Sequence, residues 1–188
     1  MSWEAREDAS REILVGLYVR DALGVADPSG LPRLLGTGLP DAGPADERTN
    51  WWWQRWWIAI LDPDEGRVAG LPSEFADVGE RALTRHLDDA RTWADVAHAV
   101  YAETAMRRQD FALTDAVREW EEREGRTARP FRLRIEVLPL TTAGIWWIGE
   151  SAIAVDELLR DDLSSYALAL EPVVGRLLSR DGEDGSGE

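Results

Sequence analysis

Two histidines, His86 and His98, are the side chains of this sequence whose ordinary ionisation range suits acid and base chemistry near neutral pH. Asp89 follows His86 by three positions and Asp95 precedes His98 by three, so each imidazole has a carboxylate within reach on a helix. On one continuous helix the two rings would sit about a third of a turn off a common face. The repeated Glu-x-x-His pattern of helical di-metal proteins is missing, and we assign these histidines to local hydrogen bonds or solvent and expect no metal.

Other short motifs fail on their own chemistry. "GESAI", Gly149 to Ile153, starts like a GxSxG nucleophile elbow, but Ile153 stands where the last glycine is needed. Both histidines precede that serine, against the order that fold requires, so no serine hydrolase is expected. "GTG" at Gly36 to Gly38 lacks a third glycine, and "DPDEG" at 62 to 66 has turn chemistry rather than the ligand spacing of a calcium loop. The chain contains no lysine, which excludes a phosphate-cradling loop of the GxxxxGK[ST] type and a Schiff-base amine. Cysteine is absent too, and with it thiol nucleophiles, disulfides and thiolate metal sites. No catalytic residue and no cofactor is assigned.

Charge narrows the partners. A formal net charge of -15 argues against nucleic acid and anionic lipid. Positive charge prevails locally only around Arg126, Arg129, Arg132 and Arg134, where a phosphate or carboxylate could bind; pairing with the chain's own carboxylates is the simpler role.

The remaining candidates are aromatic. "NWWWQRWWIAIL", residues 50 to 61, places five tryptophans in seven positions, and "IWWIGE" adds Trp146 and Trp147. Indole beside guanidinium can stabilise the outer face of a sheet, and it is also the composition of interaction hot spots. As a strand, 51 to 61 would direct Trp51, Trp53, Arg55 and Trp57 to one side and Trp52 and Trp56 to the other. With Arg132, Arg134 and Trp147 those four residues form the candidate binding surface.

Several elements must carry these residues. "SWEAREDASREILVGLYVRDALG" reads as a helix with Ser2 as its cap. Residues 24 to 49 are too rich in glycine and proline for either period, and Leu31, Leu34 and Leu35 argue that part of this loop packs down. The turn chemistry of Asp62 to Gly66 favours a hairpin over 51 to 70. A helix begun at Thr49 or Asn50 is the competing reading, with Trp52, Trp53, Trp56, Trp57 and Ile60 as its stripe. From Ser73 to about Arg123 the period is helical, with breaks near 90 and 109, a capping box at Thr92 and Asp95, a cap at Asp110 and a stop at Gly125. Phe131, Leu133, Ile135 and Val137 alternate with Arg132, Arg134 and Glu136, and "TTAG" turns the chain towards 145 to 148. A last helix begins at Ser164 or Ser165 and is kinked or split at Pro172, and the tail 181 to 188 has nothing to bury.

These elements predict one α+β domain over 1 to 180. Its antiparallel sheet comprises two hairpins, at about 51 to 70 and 131 to 149, packed against N-terminal, central and C-terminal helices. No apolar run reaches membrane-spanning length, and a cytoplasmic location is expected. The residues suggest no particular family. The expected function is binding of a macromolecule, most simply a basic protein, as an inhibitor, immunity factor or adaptor. The alternative is a small-molecule site lined by tryptophan and closed by the 24 to 49 loop, with Glu136 or Glu150 among its polar groups.

Overall fold

Alternation of side chains along 132 to 138 sets up the centre of the molecule. The computed structural model describes residues 3–27, 29–61, 76–108 and 111–179. In it Leu133, Ile135 and Val137 are buried on one face of strand β2 (Arg132–Leu138), while Arg132, Arg134 and Glu136 belong to the other. Around it lie β1 (Glu4–Asp8), β3 (Ile145–Trp147) and β4 (Ala152–Asp156), in the order β1-β2-β4-β3. β1 and β4 both run parallel to β2, and only β3 is antiparallel to its neighbour.

The fold is thus mixed α and β, but the sheet corrects the expected pair of antiparallel hairpins in three places. Residues 51 to 61 are helical. The strands at 132 and 145 do not pair with each other, because β4 lies between them. All five residues of β4 are buried, which is the character of an inner parallel strand, and its small Ala152 and Ala154 let a helix pack close on one face. The third change is at the N-terminus, where "EARED" pairs with β2 in the register Glu4 with Arg132, Arg6 with Arg134 and Asp8 with Glu136. Only the first of these sets opposite charges face to face, so the strand is held by its backbone ladder to β2 and by side-chain partners elsewhere, such as Arg160 and Arg108 for Glu7, rather than by cross-strand charge pairing.

Helices cover both faces. On one side α1 (Arg11–Leu23), α2 (Glu47–Leu61) and α3 (Ala76–Ala105) share a core with Leu138, Ala152 and Ala154. On the other, α4 (Ala112–Glu124) and α6 (Leu163–Ser179) pack on Leu133, Ile135, Val137, Ile153 and Val155, and the short α5 (Glu157–Asp161) follows β4. Every residue of α1 from Ile13 to Asp21 is buried, as expected of a helix wrapped by others. Gly16 makes this possible: a Cβ there would lie 3.0 Å from Ile60 Cδ1 and 3.2 Å from Trp57.

The competing helical reading of the tryptophan stretch is the one realised. Asp46 accepts from the Thr49 N–H (2.7 Å) at the start of α2, a role expected of Thr49 or Asn50. Trp52, Trp53 and Trp57 are buried, Trp56 is half-buried, and the pairs Trp52/Trp56 and Trp53/Trp57 stack with centroids 5.4 and 5.2 Å apart. Trp53 Nε1 donates to the Gly16 carbonyl (2.9 Å), so the one polar atom of a fully buried indole is satisfied.

The central helix does not break near 90. Thr92 lies inside α3 and donates back to the Asp88 carbonyl (2.9 Å) rather than capping a new helix. Gly125 ends α4 in the left-handed conformation, as the sequence indicates. Asp162, one position before α6, accepts from the Ser164 and Ser165 hydroxyls and fills the cap role expected of those serines. Pro172 lies within α6 without splitting it; the carbonyl it leaves unpaired, four residues back, belongs to Leu168, which is 68% exposed and can be solvated.

The glycine- and proline-rich loop is held by a buried ion cluster and by a bridge of Leu34 with Leu140. Arg20 donates to Asp21 (2.8 Å), Asp27 (3.0 Å) and the Leu31 (3.0 Å) and Pro32 (2.6 Å) carbonyls, while Asp21 accepts from the Leu34 N–H (2.7 Å). Leu31 and Leu34 are buried as expected, and Leu35 is half exposed. Ser2, Phe75, Asp110, the hairpin turn and return strand at 62 to 70, and the tail 181 to 188 lie outside the described residues. Among the described residues no helix is long and apolar enough to cross a membrane.

Candidate functional site

The charged face of β1 and β2 is where the helical cover stops. α1 starts beside the end of β1 and leaves the paired rows Glu4, Arg6, Asp8 and Arg132, Arg134 open on one side of a cleft of about 710 Å³. The remaining wall comes from Ser10, Arg11 and Glu12 at the start of α1, His98 of α3, and Ser151 just before β4.

Beneath the lining, against Ser10 and Arg134, is a buried carboxylate. Glu136 has no exposed surface and accepts from the Ser10 N–H (2.8 Å) and the Ser10 hydroxyl (2.7 Å). Arg134 donates to the same carboxylate and to Ser10 Oγ (3.2 Å). Burial pushes the Glu136 carboxyl above its usual range, opposed by the Ser10 bonds and the Arg134 charge. Three of these four contacts tie β2 to the entrance of α1, and the fourth, Arg134 to Glu136, lies within the strand.

His98 faces this site in a defined tautomer. Its Nδ1 lies 2.8 Å from the Ala9 carbonyl, an acceptor only, so Nδ1 carries the proton and Nε2 is left as an acceptor in the neutral ring. Asp8 Oδ1 is 3.9 Å from the same nitrogen. The carboxylate expected beside His98, Asp95, instead accepts from Arg11 (2.7 Å). Among the described residues no group of three or more histidines and carboxylates gathers to hold a metal.

The arginines are partnered but accessible. Arg6 contacts Asp8 at 3.2 Å and Arg132 contacts Glu4 at 3.8 Å, with the Arg132 side chain 88% exposed. Such exposed pairs are each worth about 0 to 1 kcal/mol, so an incoming anion displaces a carboxylate at small cost.

A second concavity of about 450 Å³ adjoins the first, between α1, α2 and α3. Val15, Trp56, Ile60, Leu87 and Ala94 form its apolar wall, and Arg11 and Glu12 border both hollows.

The seven residues expected as a binding surface are not assembled in one place. Arg132 and Arg134 line the cleft. Trp53 and Trp57 lie in the core, and Trp51 pairs with exposed Arg55 (5.3 Å) on another side of α2. Trp147 is on the opposite face of the sheet from Arg132, beneath Arg176 at 4.3 Å. Of the carboxylates named for a pocket, Glu136 is buried beneath the cleft lining and Glu150 is exposed. Sequence reasoning missed Arg6, Asp8, Ser10 and Arg11, and His98 as a cleft residue. Charge gave no signal for this pairing: Glu4 faces Arg132, but Arg6 faces Arg134 and Asp8 faces Glu136.

No family model, no curated protein and no solved structure matches this chain.

Proposed function

We propose that this protein binds a small anionic ligand, through a phosphate or carboxylate group, in the cleft between the β1–β2 face and the start of α1. One observation supports it above the rest. In a chain where 36 acidic residues outweigh 21 basic ones, four arginines stand against three carboxylates in the lining of this cleft, with a fourth carboxylate, Glu136, buried beneath it against Arg134, so the acidic excess of the whole molecule is absent here. An acidic protein that concentrates guanidinium groups in a concavity creates a local well for anions against its own repelling field. The volume also falls in the range of about 300 to 1,000 Å³ typical of small-molecule sites. Arg132, exposed on the cleft face of β2, can offer a planar fork to two oxygens of the anion, while Arg134 adds charge beside it with Nε and Nη2 held by Glu136 and Ser10.

Isothermal titration calorimetry with inorganic phosphate and with succinate, at low ionic strength, tests the reading. Binding of at least one anion is expected, weakened by salt and by Arg132→Ser and unchanged by Arg55→Ser on the far side of α2. Absence of binding by both anions would overturn it.

A further inference from the structure

We propose that the apolar groove beside the cleft is the second half of the same site, and that the ligand is a free amphiphile carrying an anionic head and an alkyl tail. The proposal rests on the anion-binding reading of the cleft and adds the chemistry of the rest of the ligand.

Continuity carries it. The two hollows share Arg11 and Glu12, consecutive residues in the first turn of α1, so a ligand passing from one to the other crosses only side chains of that turn and their partners. The Arg11–Asp95 ion pair, at 2.7 Å with both side chains more than half exposed, marks the ridge between them. Arg11 is thus placed to contact a head group on the cleft side while its aliphatic stem borders the tail.

The groove has the composition of a tail site. Val15 and Ala94 are buried at its base, and Trp56, Ile60 and Leu87 are half-buried around them, giving indole and aliphatic surface on three helices. Trp56 is held in place by stacking on fully buried Trp52, so its exposed surface is preformed and little ordering is required on binding. Charge sits only on the rim, at Arg11, Glu12, Arg91 and Asp95. An inorganic anion alone would leave this preformed apolar surface in water, whereas an alkyl chain reaching from the cleft would cover it.

A series of phosphate monoesters tests the inference: methyl, butyl and octyl phosphate, titrated below their aggregation concentrations beside inorganic phosphate. Affinity is expected to rise with chain length, octyl exceeding methyl phosphate by at least about tenfold. That gain should be lost in Trp56→Ala and Leu87→Ser while inorganic phosphate binding is retained, which also certifies that each variant is folded. Should one variant fail to fold, the other carries the test. Equal affinity for methyl and octyl phosphate would overturn the tail site and leave the anion cleft standing. A gain that persists in the folded variants would overturn its placement in the groove. Failure of inorganic phosphate and every ester to bind would overturn this inference, and the anion-binding reading with it if succinate also fails to bind; binding to phosphatidic acid vesicles but to no free ester would overturn the soluble source of the ligand.

Discussion

The Glu136 carboxylate accepts from both the backbone N–H and the hydroxyl of Ser10, residues 126 positions apart in the chain. This contact joins the sheet to the helix that frames the cleft, and it makes stability depend on pH in a definite direction. Burial raises the Glu136 carboxyl in the folded protein above its value in the unfolded chain. Its stabilising contribution is therefore fully present below the unfolded value and is lost as pH rises through the folded one. Urea denaturation of wild type and Glu136→Gln in parallel, from pH 4 to pH 8, should show wild type losing stability relative to the variant as pH rises. A difference that is flat, or that grows with pH, would contradict the burial described for this group.

Arg20 is the fastener of the 24 to 46 loop. Removing it in Arg20→Ala leaves buried Asp21 and Asp27 without their cation and two carbonyls without a donor. A cost of about 3 to 5 kcal/mol is expected by urea denaturation, with faster proteolysis in the loop. Arg20→Lys should recover only part of the loss, because an ammonium cannot reproduce the fork. A cost below about 1 kcal/mol would mean that the loop is held by something else.

The helical form of the tryptophan stretch separates two residues that a strand would put on one face. Trp53→Phe removes the donor to the Gly16 carbonyl and part of a buried ring, and should destabilise by about 1 to 3 kcal/mol. Arg55→Ala, at an exposed position, should change stability by less than about 0.5 kcal/mol. Equal effects at the two positions would refute the asymmetry of α2.

Asp95 holds Arg11 away from an incoming anion. Asp95→Asn releases that guanidinium at the cost of one exposed ion pair, so affinity for inorganic phosphate should rise by roughly twofold to fivefold at low salt. Calorimetry reads this directly, and unchanged or weaker binding would show that Arg11 takes no part in holding the head group.

Capping makes a fifth contrast. Asp156 is buried and accepts from the Leu158 and Leu159 N–H groups at the start of α5 and from the Leu140 N–H (3.1 Å). Asp156→Ala should cost about 1 to 3 kcal/mol in a urea melt, more than an isolated surface cap. Asp156→Asn, which keeps an acceptor oxygen, should lie between the two proteins.

Which parts of this structure were legible in the sequence follows from how far each signal reaches. The alternation over 131 to 137 was readable because period 2 is local, and it placed Arg132, Arg134 and Glu136 correctly on one face. The left-handed stop at Gly125 was equally local. The tryptophan stretch was misassigned because turn residues at 62 to 66 outweighed a helical stripe; the deciding factor was burial of Trp52, Trp53 and Trp57 against α1 and α3, a tertiary effect. β1 was hidden for the same reason, since five mostly charged residues have no strand signal until β2 lies beside them. The candidate site is built largely from that strand and from Ser10, so it was invisible until the partners were placed.

The parallel pairing of β1 with β2 also sets the order in which the molecule comes to exist. Joining positions as remote as Ser10 and Glu136, 126 residues apart, carries a loop-closure entropy of about 4 kcal/mol, charged before any contact across the pair repays it. Helices with local contacts form sooner, and β1 docks late, although it leaves the ribosome before β2. A nascent chain therefore holds "EARED" idle until β2 has been made. The cleft is then a certificate of completion: no fragment short of β2 can assemble it, and whatever occupies it stabilises the closed chain as a whole.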